Sequence, residues 1–361
     1  MRRDDLLSWF DRHRRDLPWR RTRDPYEIWL SEVMLQQTRV ETVLPFYNRF
    51  LERFPRVEDL ARAEIEEVLA LWSGLGYYRR ARQLHAAARL VAEAGGFPTT
   101  VEGLRRLPGI GAYTAAAVAS IAFGVAAPVM DGNVERVLSR VLALGEDPRS
   151  GAARARLLAA ADELLDPRRP GDSNQALMEL GATLCTPRRP KCLLCPLRPD
   201  CRAAHEENPE RYPAPKVKRP AERHRLLVAV VTNGGGVLLF RRPEDSSLLA
   251  GTWELPWVAL ERDGAPADQP PEVALAARYG GRWHLGSRAA SVRHGITYRD
   301  LEIDVHRAEL AWGGEVRAGM AAGWFDDAGR AGLPLSSLVG KVMASLETAA
   351  APATRSRGRR R

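Results

Sequence analysis

All four cysteines of the chain lie within one 17-residue stretch, and this clustering constrains the fold more than any other sequence feature. Their spacing is C-x6-C-x2-C-x5-C. Four thiolates from one compact loop are typical of iron–sulfur clusters, whereas zinc sites usually use two paired knuckles or mix cysteine with histidine. The spacing therefore favours a [4Fe–4S] cluster, with zinc as the alternative. The four candidate ligands are Cys185, Cys192, Cys195 and Cys201.

The sequence changes character around this cysteine loop. Helix signals dominate up to residue 184, and Asp24-Pro25-Tyr26-Glu27 is a strong helix start. Residues 205–223 hold four prolines and many charges, as linkers do. Beyond the linker, apolar stretches around a triple-glycine turn predict a hairpin of strands 226–231 and 237–241.

We therefore predict two domains in the 361-residue chain. The first is all-α, spans 1–204 and includes the cysteine loop. The second is α+β and spans 224–346, after the linker. Residues 347–361 form a basic tail that we expect to be disordered, since five arginines fall within its last eleven positions.

The formal net charge of +9 favours an anionic partner such as nucleic acid, although without the arginines of the tail it falls to about +4. Residues 1–16 are charged throughout, which argues against a secretory signal. Prolines and glycines interrupt the uncharged run between Arg106 and Asp131, which predicts a buried helix rather than a membrane span. We expect a cytoplasmic protein, associated with the nucleoid of a bacterial cell.

Three short stretches carry candidate functional residues. In the first, Gly109-Ile110-Gly111 opens an alanine-rich helix, and Asp131 is the first charge beyond that helix. The N–H groups and dipole at such a helix start attract phosphate, and the carboxylate could lie close to whatever the turn holds. A plain chain reversal and a helix N-cap are the alternative interpretations.

The second stretch is the helix that begins at Pro25. Glu32 is its only acidic residue after the first turn, and the residues three and four positions away are mostly apolar. Desolvation there raises the pKa of a carboxyl and suits a general acid, with a solvated surface glutamate as the alternative. Gln36 and Gln37 end this helix, where their amides could probe a base or a gap in a strand.

The third stretch runs from Gly74 through Tyr77 to Arg79 and places aromatic, glycine and arginine residues side by side. This combination suits stacking on nucleobases and contact with phosphates, so Tyr77 and Arg79 are candidate DNA-binding residues. A helix-start turn with a solvated basic face is the alternative.

These stretches resemble the MutY family of adenine DNA glycosylases, within the helix–hairpin–helix glycosylase superfamily. The resemblance implies a monomeric, monofunctional enzyme of base excision repair that hydrolyses the N-glycosidic bond of adenine mispaired with 8-oxoguanine or guanine in double-stranded DNA, after base flipping. Beyond residue 224 the chain resembles the Nudix-type domain that these enzymes carry. The matching segments, almost continuous over 17–201, are SEVMLQQTRV, LWSGLGYYRRAR, LPGIGAYTAAAV, DGNVERVL, NQALMELGATLC and the four-cysteine loop.

The resemblance also implies roles for single residues. Glu32 matches the catalytic glutamate and Asp131 the catalytic aspartate, while Tyr113 and Asn133 match residues that contact the reaction centre. The remaining matches concern DNA: Gln36 and Gln37 fill the gap left by the flipped base, Tyr77 wedges into the duplex near the oxidised guanine, and Gly109 and Gly111 hold phosphates.

Two other functions are alternatives to an adenine glycosylase, and position 113 bears on the first of them. The related endonuclease III family has a lysine there as Schiff-base nucleophile, and Tyr113 offers no amine, so strong lyase activity is not expected. An endonuclease III-like lyase is one alternative. A non-catalytic DNA-binding iron–sulfur protein is another, which retention of Glu32 and Asp131 argues against.

The second domain departs from its family pattern in two places. Nudix hydrolysis needs several glutamates on one helix, and PEVALAARYGG has Glu272 alone, so we expect no nucleotide hydrolysis. Many relatives read 8-oxoguanine through a Phe-Ser-His loop, and the matching place here is Ile296-Thr297-Tyr298. Thr297 and Tyr298 keep hydroxyl groups and are candidates for that contact, with an ordinary strand and turn as the alternative.

Overall fold

The computed structural model describes residues 1–214, 220–246, 249–262, 264–296, 298–311 and 320–350, which form two compact units. The first unit combines residues 1–63 with 83–214, and the second combines 64–82 with the described residues from 220 onward. The sequence prediction kept 64–82 within the first domain. An amphipathic helical pattern shows that a face is buried but does not specify what it packs against.

The first unit consists of helices and short 3-10 turns. Among the described residues before Glu222 there is no β-strand, in agreement with the all-α prediction. Helix α5 (Ile65–Leu71) and the start of α6 (Tyr78–Glu93) belong to the second unit. The other helices are α1 (Arg3–His13), α2 (Pro25–Leu35), α3 (Val40–Arg53), α4 (Val57–Arg62), α7 (Val101–Arg105), α8 (Ala112–Phe123), α9 (Gly132–Val141), α10 (Gly151–Glu163) and α11 (Pro170–Thr183).

Helix α2 begins where the sequence predicts. The Asp24 carboxylate accepts a hydrogen bond of 2.7 Å from the backbone N–H of Tyr26, and Pro25 occupies the first helical position. From Tyr26 to Met34 the side chains are buried, apart from the half-buried Glu27. This places Glu32, in the middle of the helix, inside the unit.

Helix α8 is the alanine-rich segment of the uncharged run, and it is buried from Thr114 to Ile121 against α2 and α11. It ends at Gly124, whose φ of 70° lies in the left-handed region that glycine favours. None of the helices in the described ranges is long and apolar enough to cross a membrane.

Helix α11 approaches its two neighbours through glycines. A Cβ atom added at Gly171 would lie 2.8 Å from the Cα atom of Ile121, at the end of α8. One added at Gly181 would lie 2.7 Å from the Cβ atom of Asn133, on α9. Both distances are shorter than carbon atoms tolerate, so backbone contacts fix the separation of α8, α9 and α11.

The second unit contains two sheets. The five-stranded sheet has the order β6-β5-β1-β8-β7, and β3 pairs with β2, β4 and β9 in the other sheet. The strands are β1 (Glu222–Val230), β2 (Thr232–Asn233), β3 (Gly236–Arg241), β4 (Trp253–Glu254), β5 (Trp257–Arg262), β6 (Ala265–Pro266), β7 (Arg282–Ile296), β8 (Arg299–Ala311) and β9 (Ala322–Phe325), and the helices are α12 (Pro271–Tyr279), α13 (Asp327–Ala331) and α14 (Ser337–Ala350).

The predicted hairpin of 226–231 with 237–241 is wrong in its pairing. Strand β1 pairs antiparallel with β5 and parallel with β8, and only the two-residue β2 forms a hairpin with β3. Both faces of β1 are apolar: one packs into the core beneath α14 and the other into the core beneath α12. A strand buried on both faces occupies the centre of a sheet, and the continuous apolar run LLVAVV is typical of such a strand.

Candidate active site

A buried carboxyl lies where three helices of the first unit meet. Glu32 of α2 is 5% exposed, and its Oε2 accepts a hydrogen bond of 2.6 Å from the hydroxyl of Tyr113 on α8. The Tyr113 oxygen also lies 3.1 Å from the sulfur of Met178 on α11. The fold therefore desolvates Glu32 and gives it one oriented partner.

Asp131 forms the N-cap of α9. Its Oδ1 accepts a hydrogen bond of 2.7 Å from the N–H of Val134, and its Oδ2 accepts one of 3.1 Å from the side chain of Asn133. The amide oxygen of Asn133 in turn accepts from Arg136 at 2.8 Å. In this series of hydrogen bonds Arg136 orients Asn133, and Asn133 orients Asp131, so the carboxylate of Asp131 is held in one direction.

The two carboxyls influence each other. Burial raises the pKa of Glu32 to about 7, and the charge of Asp131 adds to this effect while the hydrogen bond from Tyr113 opposes it. Burial also raises the pKa of Asp131, against the hydrogen bonds that it accepts. Burial thus favours the protonated form of both carboxyls, while the hydrogen bonds from Val134 and Asn133 favour the ionised form of Asp131.

We expect the Tyr113→Phe substitution to raise the pKa of Glu32 above 7, because the hydrogen bond that favours the ionised form is lost. A hydrogen bond to a charged group is worth about 1.5–3 kcal/mol, or about one to two pKa units. Titration of the ¹³C-labelled side-chain carboxyl, assigned with Glu32→Gln, measures the shift. An unchanged or lowered pKa would show that the phenol does not favour the carboxylate.

Glu32, Tyr113, Asp131 and Asn133 line one cleft of about 920 Å³. Sequence reasoning missed another group on its wall, which is the buried Glu179 of α11. Burial alone would raise the pKa of Glu179. Hydrogen bonds from Arg15 and Arg20, both of 2.8 Å, outweigh burial and lower this pKa to about 2.

A signal for Glu179 was present in the sequence. It is the only acidic residue in the apolar stretch ALMELGATL, and the criterion that selected Glu32 would also have selected it. The arginines that pair with it lie about 160 residues earlier, and local spacing does not indicate an ion pair over such a separation.

The glycine turn before α8 has the geometry of an anion-binding hairpin. Gly109 has a φ of 76°, and a Cβ atom there would lie 2.8 Å from the Cβ atom of Gln83. Gly111 caps α8. Both glycines are exposed, and their N–H groups donate to no acceptor within the described residues. They are open to a phosphate oxygen.

The two glutamines lie at the end of α2 and also line the cleft. Gln36 is the C-cap residue, and its amide nitrogen lies 3.3 Å from the hydroxyl of Thr114. Gln37 adopts a left-handed backbone with a φ of 59°. Six sequence-predicted residues therefore meet in this cleft.

The four cysteine thiols are free and line one small cavity. Helix α9 is connected to the start of their loop: Arg136 donates to the carbonyl oxygen of Cys185 at 2.8 Å, and Arg140 donates to that of Thr186 at 2.7 Å. The guanidinium of Arg140 also lies 3.4 Å from the sulfur of Cys185. The helix that Asp131 caps thus holds the cysteine loop.

The remaining candidates belong to the second unit. Tyr77 is 47% exposed, with its ring centre 5.2 Å from the guanidinium carbon of Arg80, and Arg79 is exposed. Tyr298 lies in the turn between β7 and β8, while Thr297 falls outside the described residues.

Two family matches cover most of the two units. Residues 30–161 match the HhH-GPD superfamily of base excision DNA repair proteins, and residues 227–345 match the NUDIX domain. These matches agree with the predicted combination of an all-α helix–hairpin–helix domain and an α+β Nudix-like domain.

Three similar proteins illustrate the relationship. The adenine DNA glycosylase of Mus musculus is 43% identical over 76% of this chain and 62% of its own length. That of Schizosaccharomyces pombe is 35% identical over 75% of this chain and 72% of its own length. A solved thermostable thymine-DNA glycosylase is 32% identical, with a TM-score of 0.51 over 56% of this chain and 94% of that one. The chain thus spans less than two thirds of the length of the mouse relative.

Proposed function

Because the chain belongs to the MutY family of adenine DNA glycosylases, we propose that it hydrolyses the N-glycosidic bond of adenine mispaired with 8-oxoguanine or guanine in double-stranded DNA. The observation that carries this proposal is the pair of carboxyls in one cleft, Glu32 with a pKa of about 7 beside Asp131. Asp131 accepts hydrogen bonds from Val134 and Asn133 that favour its ionised form, so we assign the acid role to Glu32 and the electrostatic role to Asp131.

The cleft suits a base turned out of the duplex. A base inside a duplex is inaccessible, so the target nucleotide must be flipped into a pocket, and about 920 Å³ lies in the range of organic ligand sites. The Arg20–Glu179 ion pair places charged donor and acceptor groups on the wall of this cleft. A flipped base needs such partners for its polar edge.

Glu32 is the general acid of the proposed reaction. Adenine leaves poorly as an anion, and a proton on its ring nitrogen N7 makes it a neutral leaving group. The protonated carboxyl of Glu32 supplies that proton while the bond between C1′ and N9 breaks and its electron pair stays with the base. The hydroxyl of Tyr113 then donates to the carboxylate that Glu32 becomes.

Asp131 stabilises the sugar that remains. Loss of the base leaves positive oxocarbenium charge at C1′, and an ionised carboxylate nearby lowers its energy. The N–H of Val134 and the side chain of Asn133 hold the carboxylate of Asp131 in place without donating charge of their own. Water then adds to C1′ and gives its proton to Glu32, which acts as base in this second step.

The hairpin and the loop residues hold the DNA in this proposal. The N–H groups of Gly109 and Gly111 bind phosphate oxygens, and Gln36 and Gln37 fill the gap left by the flipped adenine. Tyr77 wedges beside the oxidised guanine. Phosphate contacts of this kind position the duplex, and side chains in the stack select the lesion.

The chemistry of the cysteine loop fits an iron–sulfur cluster. Four free thiols from one loop share one cavity, and thiolates are the ligands that iron–sulfur clusters use. No three His, Cys, Asp or Glu side chains of the described residues are arranged as a preformed metal-binding group. We propose that the four cysteines hold a [4Fe–4S] cluster, which binds the loop together. Iron analysis and a visible spectrum of the purified protein test this assignment.

Single-turnover cleavage of duplexes with adenine opposite 8-oxoguanine, guanine or thymine tests the proposed function. We expect excision opposite 8-oxoguanine and guanine and none opposite thymine. Strand breaks should appear only after alkali, and borohydride should trap no covalent complex, because position 113 is a phenol that donates to Glu32. Intact adenine opposite 8-oxoguanine, or a trapped complex, would contradict the proposal.

A further inference from the structure

The turn that carries Tyr77 has an unfavourable backbone. Gly74 and Gly76 have φ angles of 97° and 76°, and Tyr77 has one of 52°. Glycine adopts such angles without penalty, whereas a residue with a Cβ atom persists there only when its surroundings hold it. Contacts of the residues on both sides of Tyr77 must therefore hold its backbone in this conformation, and the backbone carries the exposed ring.

The residue before Tyr77 is held from within the same segment. The carbonyl oxygen of Gly76 accepts hydrogen bonds from the indole N–H of Trp72 at 3.0 Å and from the guanidinium of Arg80 at 3.3 Å. Trp72 is fully buried and Arg80 is 9% exposed. This side of the turn rests on the packing of its own helices.

The residue after Tyr77 is held by the second sheet. Tyr78 is 4% exposed, and its hydroxyl donates to the carbonyl oxygen of Leu335. The same hydroxyl lies 3.3 Å from the hydroxyl of Ser73, which accepts from the N–H of Leu335 at 3.4 Å. A phenol has one proton, and Leu335 receives it, so the serine supplies the proton between the two hydroxyls. Ser73, Tyr78 and Leu335 thus close a ring of three hydrogen bonds.

Leu335 is itself fixed to β4. Trp253 forms a parallel bridge with Leu335, and its N–H donates to the carbonyl oxygen of Pro334 at 2.9 Å. Trp253 lies opposite Arg241 in β3. The ring therefore connects both ends of the Tyr77 turn, Ser73 and Tyr78, to the paired strands of a sheet.

Ion pairs add a second attachment between the same elements. Arg241 of β3 contacts Glu66 of α5 at 2.9 Å, and Arg82 of α6 contacts Glu244 at 2.8 Å. The acidic partners are more than half exposed, so these pairs are screened and contribute little. The part-buried hydrogen-bond ring is the specific part of the attachment.

We propose that Tyr78 and Ser73 are positioning residues that hold Tyr77 for contact with the lesion, and that the Nudix-like sheet acts on lesion affinity through Leu335. The inference rests on the role proposed above for Tyr77. In this proposal the sheet contributes to lesion binding without hydrolysing nucleotides and without contacting DNA directly.

The test uses the full chain and a duplex with 2′-fluoro-2′-deoxyadenosine opposite 8-oxoguanine, in which the fluorine opposes oxocarbenium formation and prevents cleavage. Tyr78→Phe and Ser73→Ala should each weaken binding of this duplex about three- to tenfold, as the loss of two part-buried hydrogen bonds of the ring allows. The excision rate from saturated complexes with ordinary adenine should stay within about twofold. Tyr279→Phe is the matched control, because it removes another buried hydroxyl that bonds to backbone in the same unit, and it should leave binding unchanged.

A double-mutant cycle separates positioning from general stability. In a Tyr77→Ala background, Tyr78→Phe should weaken binding less than twofold further, since the residue that it positions is gone. The inference would be overturned if Tyr78→Phe weakened binding by its full factor in the Tyr77→Ala background, or if Tyr279→Phe weakened binding equally. It would also be overturned if both Tyr78→Phe and Ser73→Ala bound the duplex as tightly as the unaltered chain. The glycosylase proposal would stand in each case. If Tyr77→Ala binds as tightly as the unaltered chain, the proposed role of Tyr77 fails and the inference falls with it.

Discussion

Glu32→Gln should remove adenine excision almost completely, by about 10³-fold or more, while binding of mismatched DNA persists. General acid catalysis contributes about 10²–10⁴-fold, and here the same group also serves as the base for water. The amide keeps the shape of the side chain and can still accept from Tyr113, but it has no proton to give. Single-turnover excision opposite 8-oxoguanine and a binding titration with the same duplex measure the two effects.

The same substitution should stabilise the protein at alkaline pH. The folded-state pKa of Glu32, about 7, lies above its ordinary 4.5, so the wild type loses stability as pH rises through this interval, because it must bury a charge that the unfolded chain leaves in water. Glu32→Gln lacks this loss, which amounts to at most about 3 kcal/mol. Its melting temperature should exceed that of the wild type at pH 8, and the difference should vanish near pH 4.5.

Glu27→Gln is the matched control. Glu27 lies on the same helix, is half-buried and has a pKa that burial also raises, but it does not line the cleft. Its substitution should leave excision within about twofold. Excision by Glu32→Gln within tenfold of the wild type would show that another group is the acid.

Asp131→Asn should lower the excision rate by about 10²–10³-fold, the range observed when one preorganised electrostatic group is removed from a transition state. The asparagine oxygen can still accept from the N–H of Val134, so α9 should keep its cap and the fold its stability. The negative charge near C1′ is lost, together with the hydrogen bond that the second oxygen of Asp131 accepts from Asn133. Single-turnover rates at saturating enzyme, together with thermal unfolding, measure both expectations.

Asp24→Asn is the control for the effect of changing a helix N-cap residue. Asp24 caps α2 in the same way that Asp131 caps α9, and it lies outside the cleft. We expect unchanged excision in this variant. If Asp131→Asn unfolds at a much lower temperature than Asp24→Asn, its loss of activity would reflect structure rather than charge.

The sequence predicted individual buried groups better than it predicted their partners. The helical neighbours of Glu32 correctly indicated a desolvated carboxyl, because positions three and four residues apart share a face. Burial is the main cause of its raised pKa, and the two groups that modify this shift, Tyr113 and Asp131, come from elements about 80 to 100 residues away. Local spacing carries no information about such distances, and only the family resemblance linked these residues in advance.

In the second unit, too, the sequence indicated the elements but not their partners. Continuous apolar runs located β1 and β3 correctly, but one of the two partners of β1 is β8, 77 residues later and parallel to it. Likewise, the stretch 64–82 had a clear helical pattern, yet its attachment to Leu335 depends on two hydroxyls and on the N–H and C=O groups of that leucine. Periodicity identifies a buried face, and long-range geometry decides what covers it.

The glycines of α11 carry a consequence for how this site tolerates change. Gly171 and Gly181 do not line the cleft, yet any side chain there would press α11 away from α8 or α9. Those displacements would separate the wall that holds Glu179 from the helices that hold Tyr113 and Asp131. The width of the cleft is thus a property of two residues with no side chain, so variants at these positions can inactivate the site while every group that touches the substrate remains present.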